Sequence, residues 1–410
     1  MREPRPESAL GPGGAIEVAP LWRHAASQRL RELAWCSLSP PLLAFLPAVG
    51  AVGTAGAGAA AHGGEPGETV NGHAVPAVGG AAAAAGAAQI APGLAHWPDG
   101  ALAGWQRWLL AADPDTLPAT IAELAAGREH ARPHGPAHAP SLRLGRHAER
   151  LLQFTLEHTA GLELLAANLP VRRASAHGVQ TLGELDFVWR DAVSGAIVHW
   201  EMAAKFYLLV DPAPDAGHGA AAPPRLHHFV GPNLVDRLGD KLGHLVHRQL
   251  ALSRVPEARA LLGRNVDRSE VYLLGWLFYR NGHVPAGVRD LGIAPDHLHG
   301  WWSTLADWSA WAATRTGSRW FRLPRSAWMA PAMVPQAQTE LMEAVRDALA
   351  QRFAETRHDK SWRREAPVML CELEPAGPLA PGLWRERTRG FVVPPGWEAR
   401  ARQRVAGASA

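Results

Sequence analysis

The sequence predicts an α/β (α+β) fold whose core runs helix, three strands, helix, strand around a mixed sheet, followed by a Trp-rich C-terminal extension. Two observations predict the core. Between residues 141 and 280, a stretch of helical periodicity precedes three β-rich segments, and a second helical stretch precedes a fourth. The second and third β-rich segments are joined by Ala192-Val193-Ser194-Gly195, a loop of hairpin length with a turn glycine. The extension is read from tryptophans that crowd together after residue 285.

Taken in order, residues 1–46 form an N-terminal segment with a helix over 21–35, stopped at Ser39-Pro40-Pro41. Residues 47–98 are rich in Gly and Ala and nearly devoid of large apolar side chains. Such a stretch buries too little surface to offset its chain entropy, so a disordered insert is expected, its Ala81–Ala85 run included. A core at 99–285 follows. Its first helix, about 141–158, carries Leu142, Gly145, Glu149, Leu152 and Leu156 on one stripe, which puts Glu149 in or beside a packed face. Strands are expected at 164–172, 181–191, 197–210 and 271–279, with a loop at 211–226. A helix is expected over 234–253, capped by Asn233 after Gly231-Pro232. The accessory region 286–410 shows a helix near 336–356 and short strands near 368–373 and 390–393.

Composition excludes several classes. The 410 residues suffice for two or three domains. Cys36 and Cys371 alone cannot build a disulfide framework or a Cys-based zinc site, which fits a cytoplasmic setting. The first twenty residues lack the apolar stretch of a signal peptide. Residues 33–64 carry no Asp, Glu, Lys or Arg, but their strongly apolar part is short, and Ala and Gly partition weakly into lipid; no membrane span is expected. The net charge of +3 permits nucleic-acid binding without a dense basic tract to demand it. Of 41 basic residues only Lys205, Lys241 and Lys360 are lysines. Where Arg otherwise prevails, a retained Lys is a candidate for chemistry that needs a compact, tunable ammonium.

Two of those lysines lie near an acidic hairpin. Strand alternation places Leu182, Glu184, Asp186 and Val188 on one face, and Gly183, Leu185, Phe187 and Trp189 on the other. In the partner, His199, Glu201, Ala203, Lys205 and Tyr207 share a face opposite Val198, Trp200, Met202, Ala204 and Phe206. A four-residue loop pairs Asp191 with Ala196, which sets Asp186 opposite Glu201. Two facing carboxylates repel unless a divalent cation such as Mg²⁺ bridges them. The bland alternative is a solvated hairpin face whose charges happen to align.

Gly183-Glu184-Leu185-Asp186, then a hairpin, then Glu201 followed by Lys205, resembles the PD-(D/E)XK (restriction-endonuclease-like) nuclease superfamily, and the element order is similar to its αβββαβ core. The stretches 144–151, 182–187, 199–208 and 236–242 also resemble a bacterial family, domain of unknown function 1853. The superfamily resemblance implies a phosphodiesterase of DNA or RNA using Mg²⁺ or Mn²⁺. It makes Asp186 and Glu201 the metal-binding acids, Lys205 the catalytic lysine and Glu149 an outer metal ligand. Glu184 would support the site, and Lys241 and Gln249 would approach it or the phosphate backbone. One departure stands out. The superfamily spaces acid and lysine by one residue, whereas Glu201 and Lys205 are separated by three, displacing the ammonium root by about 6.6 Å. The alternative is therefore a catalytically inactive module that binds nucleic acid or protein, and the position of the Lys205 ammonium discriminates. His297 with His299, His227 with His228, and His244 with His247 read as surface, capping or packing residues, and the clustered tryptophans as core.

Overall fold

The computed structural model describes residues 20–47, 92–129, 141–176, 178–211, 223–355, 366–378 and 380–407. Most of the expected 47–98 insert, including Ala81–Ala85, most of the 211–226 loop, and Lys360 lie outside the described residues.

The helix expected over 21–35 is two. After α1 (Leu21–His24) the backbone extends at Ala25, and the Ser27 hydroxyl accepts from Leu30 N at 3.4 Å to start α2 (Gln28–Leu38). β1 (Gly93–Leu94) follows, then α3 (Ala101–Ala111), α4 (Ile121–Glu129) and α5 (Leu144–His158). The buried face of α5 runs through Leu144, Ala148, Leu151, Leu152 and Leu156, turned from the expected stripe, so that Gly145 is exposed and Glu149 half-buried at its edge. A polar tie fixes α5 to α2. Arg150 Nη2 donates to His147 Nδ1 at 2.5 Å, so His147 Nε2 carries the proton it donates to the buried Glu32 carboxylate at 2.8 Å.

Three long strands come next: β2 (Leu162–Ser175), β3 (Gly178–Asp191) and β4 (Ile197–Leu209). After the short β5 (Phe229–Val230), α6 (Leu238–His244) continues through a π-helical turn at Leu245–Gln249 into α7 (Leu250–Leu252), and α8 (Pro256–Leu262) leads to β6 (Arg268–Arg280). The remaining elements are β7 (His299–Thr304), α9 (Leu305–Ala313), β8 (Arg319–Arg322), β9 (Met333–Pro335), α10 (Met342–Glu355), β10 (Val368–Pro375), β11 (Leu383–Val393) and α11 (Trp397–Ala406).

The strands form one mixed sheet ordered β2-β3-β4-β6-β7-β11-β10-β8, with β1 on β6, β5 on β4 and β9 on β11. β2, β3 and β4 meander antiparallel, and β6 joins β4 in parallel by way of α6 to α8. The strands after residue 285 continue this sheet through the parallel β6–β7 and β7–β11 pairs. Trp301, Trp302, Trp308, Trp320 and Trp328 are buried within it, as core.

The structure corrects three further local expectations. Leu234 adopts a left-handed φ of 59° and Gly231 N donates to Asp236 O, so a tight turn occupies 231–237 and the helix begins at Leu238, not at an Asn233 cap. The helix expected from 336 begins at Met342, because Glu340 and Trp320 exchange backbone hydrogen bonds as an isolated bridge. The third concerns β3. Leu185 packs with Val188 and Leu252 rather than with Phe187 and Trp189, so the alternation shifts by one residue at Leu185–Asp186. The ladder to β2 is interrupted there as well, opposite Asn168 with φ 51°.

Opposite Lys205, β6 pairs with β4 through Gly275. Its φ is 150°, and a Cβ there would stand 1.8 Å from the Lys205 carbonyl oxygen. Gly275→Ala is therefore expected to lower unfolding free energy by about 3 kcal/mol or more, through backbone strain and displacement of β4. Chemical denaturation checks this; a loss within experimental error would contradict the close contact.

Candidate active site

The hairpin register expected from the loop length is the observed one for Phe187↔Trp200, Val188↔His199, Trp189↔Val198 and Arg190↔Ile197. The ladder ends there. At the next position, side chains replace backbone pairing. Met202 N donates to Asp186 Oδ2 at 2.9 Å, and Asp186 N lies 3.5 Å from Glu201 Oε1. Beyond this point β3 leaves β4, whose next strand neighbour on that side is β5 at Leu208 and Leu209.

Glu201 is fully buried and held from two sides. His199 Nε2 donates to Oε1 at 2.8 Å and Gln249 Nε2 donates to Oε2 at 2.6 Å. Gln249 Oε1 in turn accepts from Lys241 Nζ at 3.0 Å and lies 3.0 Å from His244 Nδ1. Gln249 reaches Glu201 from the π-helical turn, and Lys241 sits two turns earlier on α6. Spacing in the sequence brings these two to one face, but the extra residue of a π-turn, which sets the amide's aim, has no sequence signal.

Glu149 on α5 accepts from Arg146 Nη1 at 2.6 Å, and the same guanidinium donates to Glu184 Oε1 at 3.0 Å and to Asn168 Oδ1 at 2.7 Å. Glu184 is thus tied to the rim by an arginine, on the α5 side. Lys205 is directed elsewhere: its Nζ donates to Asp236 Oδ2 at 2.7 Å, where the Tyr207 hydroxyl also donates at 3.3 Å. Asp236, His199 and Arg146 shape the site and were not among the expected site residues. Their roles depend on the turn at 231–237 and on buried contacts that alternation alone does not rank.

The charges are strongly coupled. Burial, with the neighbouring Glu201 carboxylate, pushes Asp186 up to about 7. Burial likewise pushes Glu201 up to about 7. Glu149 is raised by its own burial and by Asp186. Lys241 is lowered by burial and by Lys205, while Asp186 and Glu201 hold its proton on. His199 is depressed to about 4 by burial, and among the described residues its Nδ1 has no partner.

Beside the acids is a cleft of about 860 Å³ lined by Glu149, Met202, Lys205, Asp236 and Lys241 among others. Carboxylate oxygens are hard donors, and one or two of them commonly hold Mg²⁺ together with water and substrate phosphate. Among the described residues, no group of three or more His, Cys, Asp or Glu side chains is placed to hold a metal ion. No described helix is long and apolar enough to cross a membrane.

Comparison with known families adds one assignment. The model of the domain of unknown function DUF1853 matches residues 31–393. The chain belongs to this family. The match takes in α5, the acidic hairpin, the crossover to β6 and the strands up to the end of β11, so the site and the C-terminal part of the sheet are parts of one family unit. Neither the curated proteins nor the solved structures contain a match to the chain.

The raised acids predict a pH dependence of stability. A carboxyl whose folded value lies above its unfolded one keeps its proton on folding, so ionisation removes stability as pH rises from the ordinary carboxylate range through about 7. His199 acts oppositely, removing stability as pH falls from its ordinary value towards 4. Asp186→Asn abolishes one acid and leaves His199. Relative to wild type in EDTA, the variant is expected to gain on the order of 2 kcal/mol between about pH 5 and about pH 8. Denaturant unfolding across pH checks this; a difference that does not change with pH would refute the burial of an ionisable Asp186.

Proposed function

We propose that the chain is a metal-dependent phosphodiesterase acting on DNA or RNA, with residues 99–285 forming a PD-(D/E)XK-like core and 286–410 an accessory region. The observation that carries this reading is the pair of buried carboxylates, Asp186 and Glu201, fixed where β3 parts from β4 beside a cleft flanked by lysines. Asp186 and Glu201 would hold Mg²⁺ or Mn²⁺, with Glu149 as an outer ligand. When bound, the cation would supply an activated water and stabilise charge on a phosphoryl oxygen.

The chain's own residues would do the rest. Met202 N orients Asp186, while His199 and Gln249 orient Glu201, so neither acid needs to reorganise. Lys241, linked to Glu201 through Gln249, supplies the ammonium nearest the acid pair in this reading, in place of the Lys205 expected from sequence. A cytoplasmic setting suits two buried, free cysteines. A second reading, the inactive binding module, is favoured by one observation: Lys205 is engaged with Asp236 and not with the acid pair.

Titration calorimetry with Mg²⁺ and Mn²⁺ tests the first reading. Wild type is expected to bind at millimolar concentration or tighter and Asp186→Asn not to bind; absence of binding with and without oligonucleotide would leave the module. On DNA and RNA panels, Lys241→Ala is expected to slow cleavage about a hundredfold. Lys205→Ala should slow it far less, and the reverse order would restore the role to Lys205.

A further inference from the structure

The acid pair lies beside the cleft, next to its Glu149, Met202 and Lys241 wall, while the rim is basic and belongs to two distant parts of the chain. Arg143, exposed at the start of α5, lines one wall. Arg325, exposed in the 3-10 turn Arg325–Ala327 of the accessory region, lines another, with its guanidinium 5.5 Å from the centre of the Trp328 ring. Among the described residues neither guanidinium has an acidic partner. The acids that face the cleft are already engaged, Glu149 with Arg146 at 2.6 Å and Asp236 with Lys205 at 2.7 Å. The lining carries four cations, Arg143, Lys205, Lys241 and Arg325, against two acids, Glu149 and Asp236, so its balance is positive. Arg325 also stands at the junction with a second cavity of about 990 Å³ that shares Asn233 and Trp328, so the cleft has a continuation past it.

The walls are not only basic. Val235, 76% exposed, and the partly exposed Leu142 line the same space. A duplex presents charged backbone and hides its bases. A single strand presents phosphates and apolar base faces together, which matches a lining that holds guanidinium groups and apolar side chains. The acids are withdrawn from the surface, Glu201 wholly buried and Asp186 8% exposed, and neither lines the cleft itself. A single strand is narrow enough to enter the cleft beside them, whereas a broad duplex rests on the rim.

We propose that Arg143 and Arg325 form a two-sided phosphate clamp that leads single-stranded nucleic acid past the acid pair, the accessory region supplying one jaw. The clamp rests on the nucleic-acid reading above but not on hydrolysis. It is tested by fluorescence anisotropy with labelled single-stranded DNA, single-stranded RNA and duplex DNA in EDTA over a range of salt.

Wild type is expected to bind the single strands better than the duplex. Arg143→Gln with Arg325→Gln is expected to weaken single-strand binding about tenfold or more. Each phosphate contact contributes about 0.7 to the salt slope on a single strand, so the double variant should lose about 1.4. Arg143→Lys with Arg325→Lys should retain most of the slope, which separates charge from fold, and circular dichroism verifies folding. Unchanged affinity and slope in the Gln variant, or preference for the duplex, would overturn the clamp. Arg-dependent binding in a protein that binds no Mg²⁺ or Mn²⁺ would support the clamp and sink the hydrolytic reading. Metal-dependent cleavage that is indifferent to both arginines would do the reverse.

Discussion

A single carboxylate in place of a ladder bond governs the architecture of the site. Where β3 and β4 would continue their pairing, Asp186 Oδ2 takes the Met202 amide, and the two strands part. The parting makes room beside β4 for the cleft, and it leaves Glu201 facing inward, held by His199 and Gln249. α5 closes the other side, tied through His147 to Glu32 on α2. The sheet is thereby opened at one place by a polar side chain whose own burial is unfavourable.

That unfavourable burial is concentrated. Asp186, Glu201 and Glu149 each resist ionisation in a shared low-dielectric environment, and Lys241 is pushed the other way. A sheet built for stability alone would fill these positions with apolar side chains. Stability is recovered on the opposite face and in the surrounding core. Phe187, Trp189, Val198 and Trp200 are fully buried, and Trp200 Nε1 donates to Glu270 at 2.8 Å. Gly275 lets β6 come close enough to β4 to hold the strand that carries Glu201 and Lys205 in place.

The C-terminal strands extend this sheet through parallel pairing of β6 with β7 and of β7 with β11. Their tryptophans fill its core, and the fully buried Arg389 is satisfied by Glu386, by the Trp328 and Ala330 carbonyls, and by the Trp276 ring. This buried network fixes the loop after Arg325 against the central strands. It is the means by which residues remote in sequence come to border the cleft.

Much was legible in the sequence because it depends on local rules. Alternation and loop length set the 187–200 register, and helical periodicity placed α5, with Glu149 beside its packed face. Spacing also brought Lys241 and Gln249 to one face. Other features needed the folded chain. The one-residue shift at Leu185–Asp186 follows from a side chain capturing an amide on another strand. The turn at 231–237 delivers Asp236 to Lys205, and the π-turn aims Gln249 at Glu201. The sequence by itself determined the order of helices and strands over 141–280 and the hairpin register over 187–200, since those rest on periods of two and 3.6. Tertiary structure alone decided which ammonium faces the acids, because a flexible lysine takes its partner from whatever the fold sets within reach.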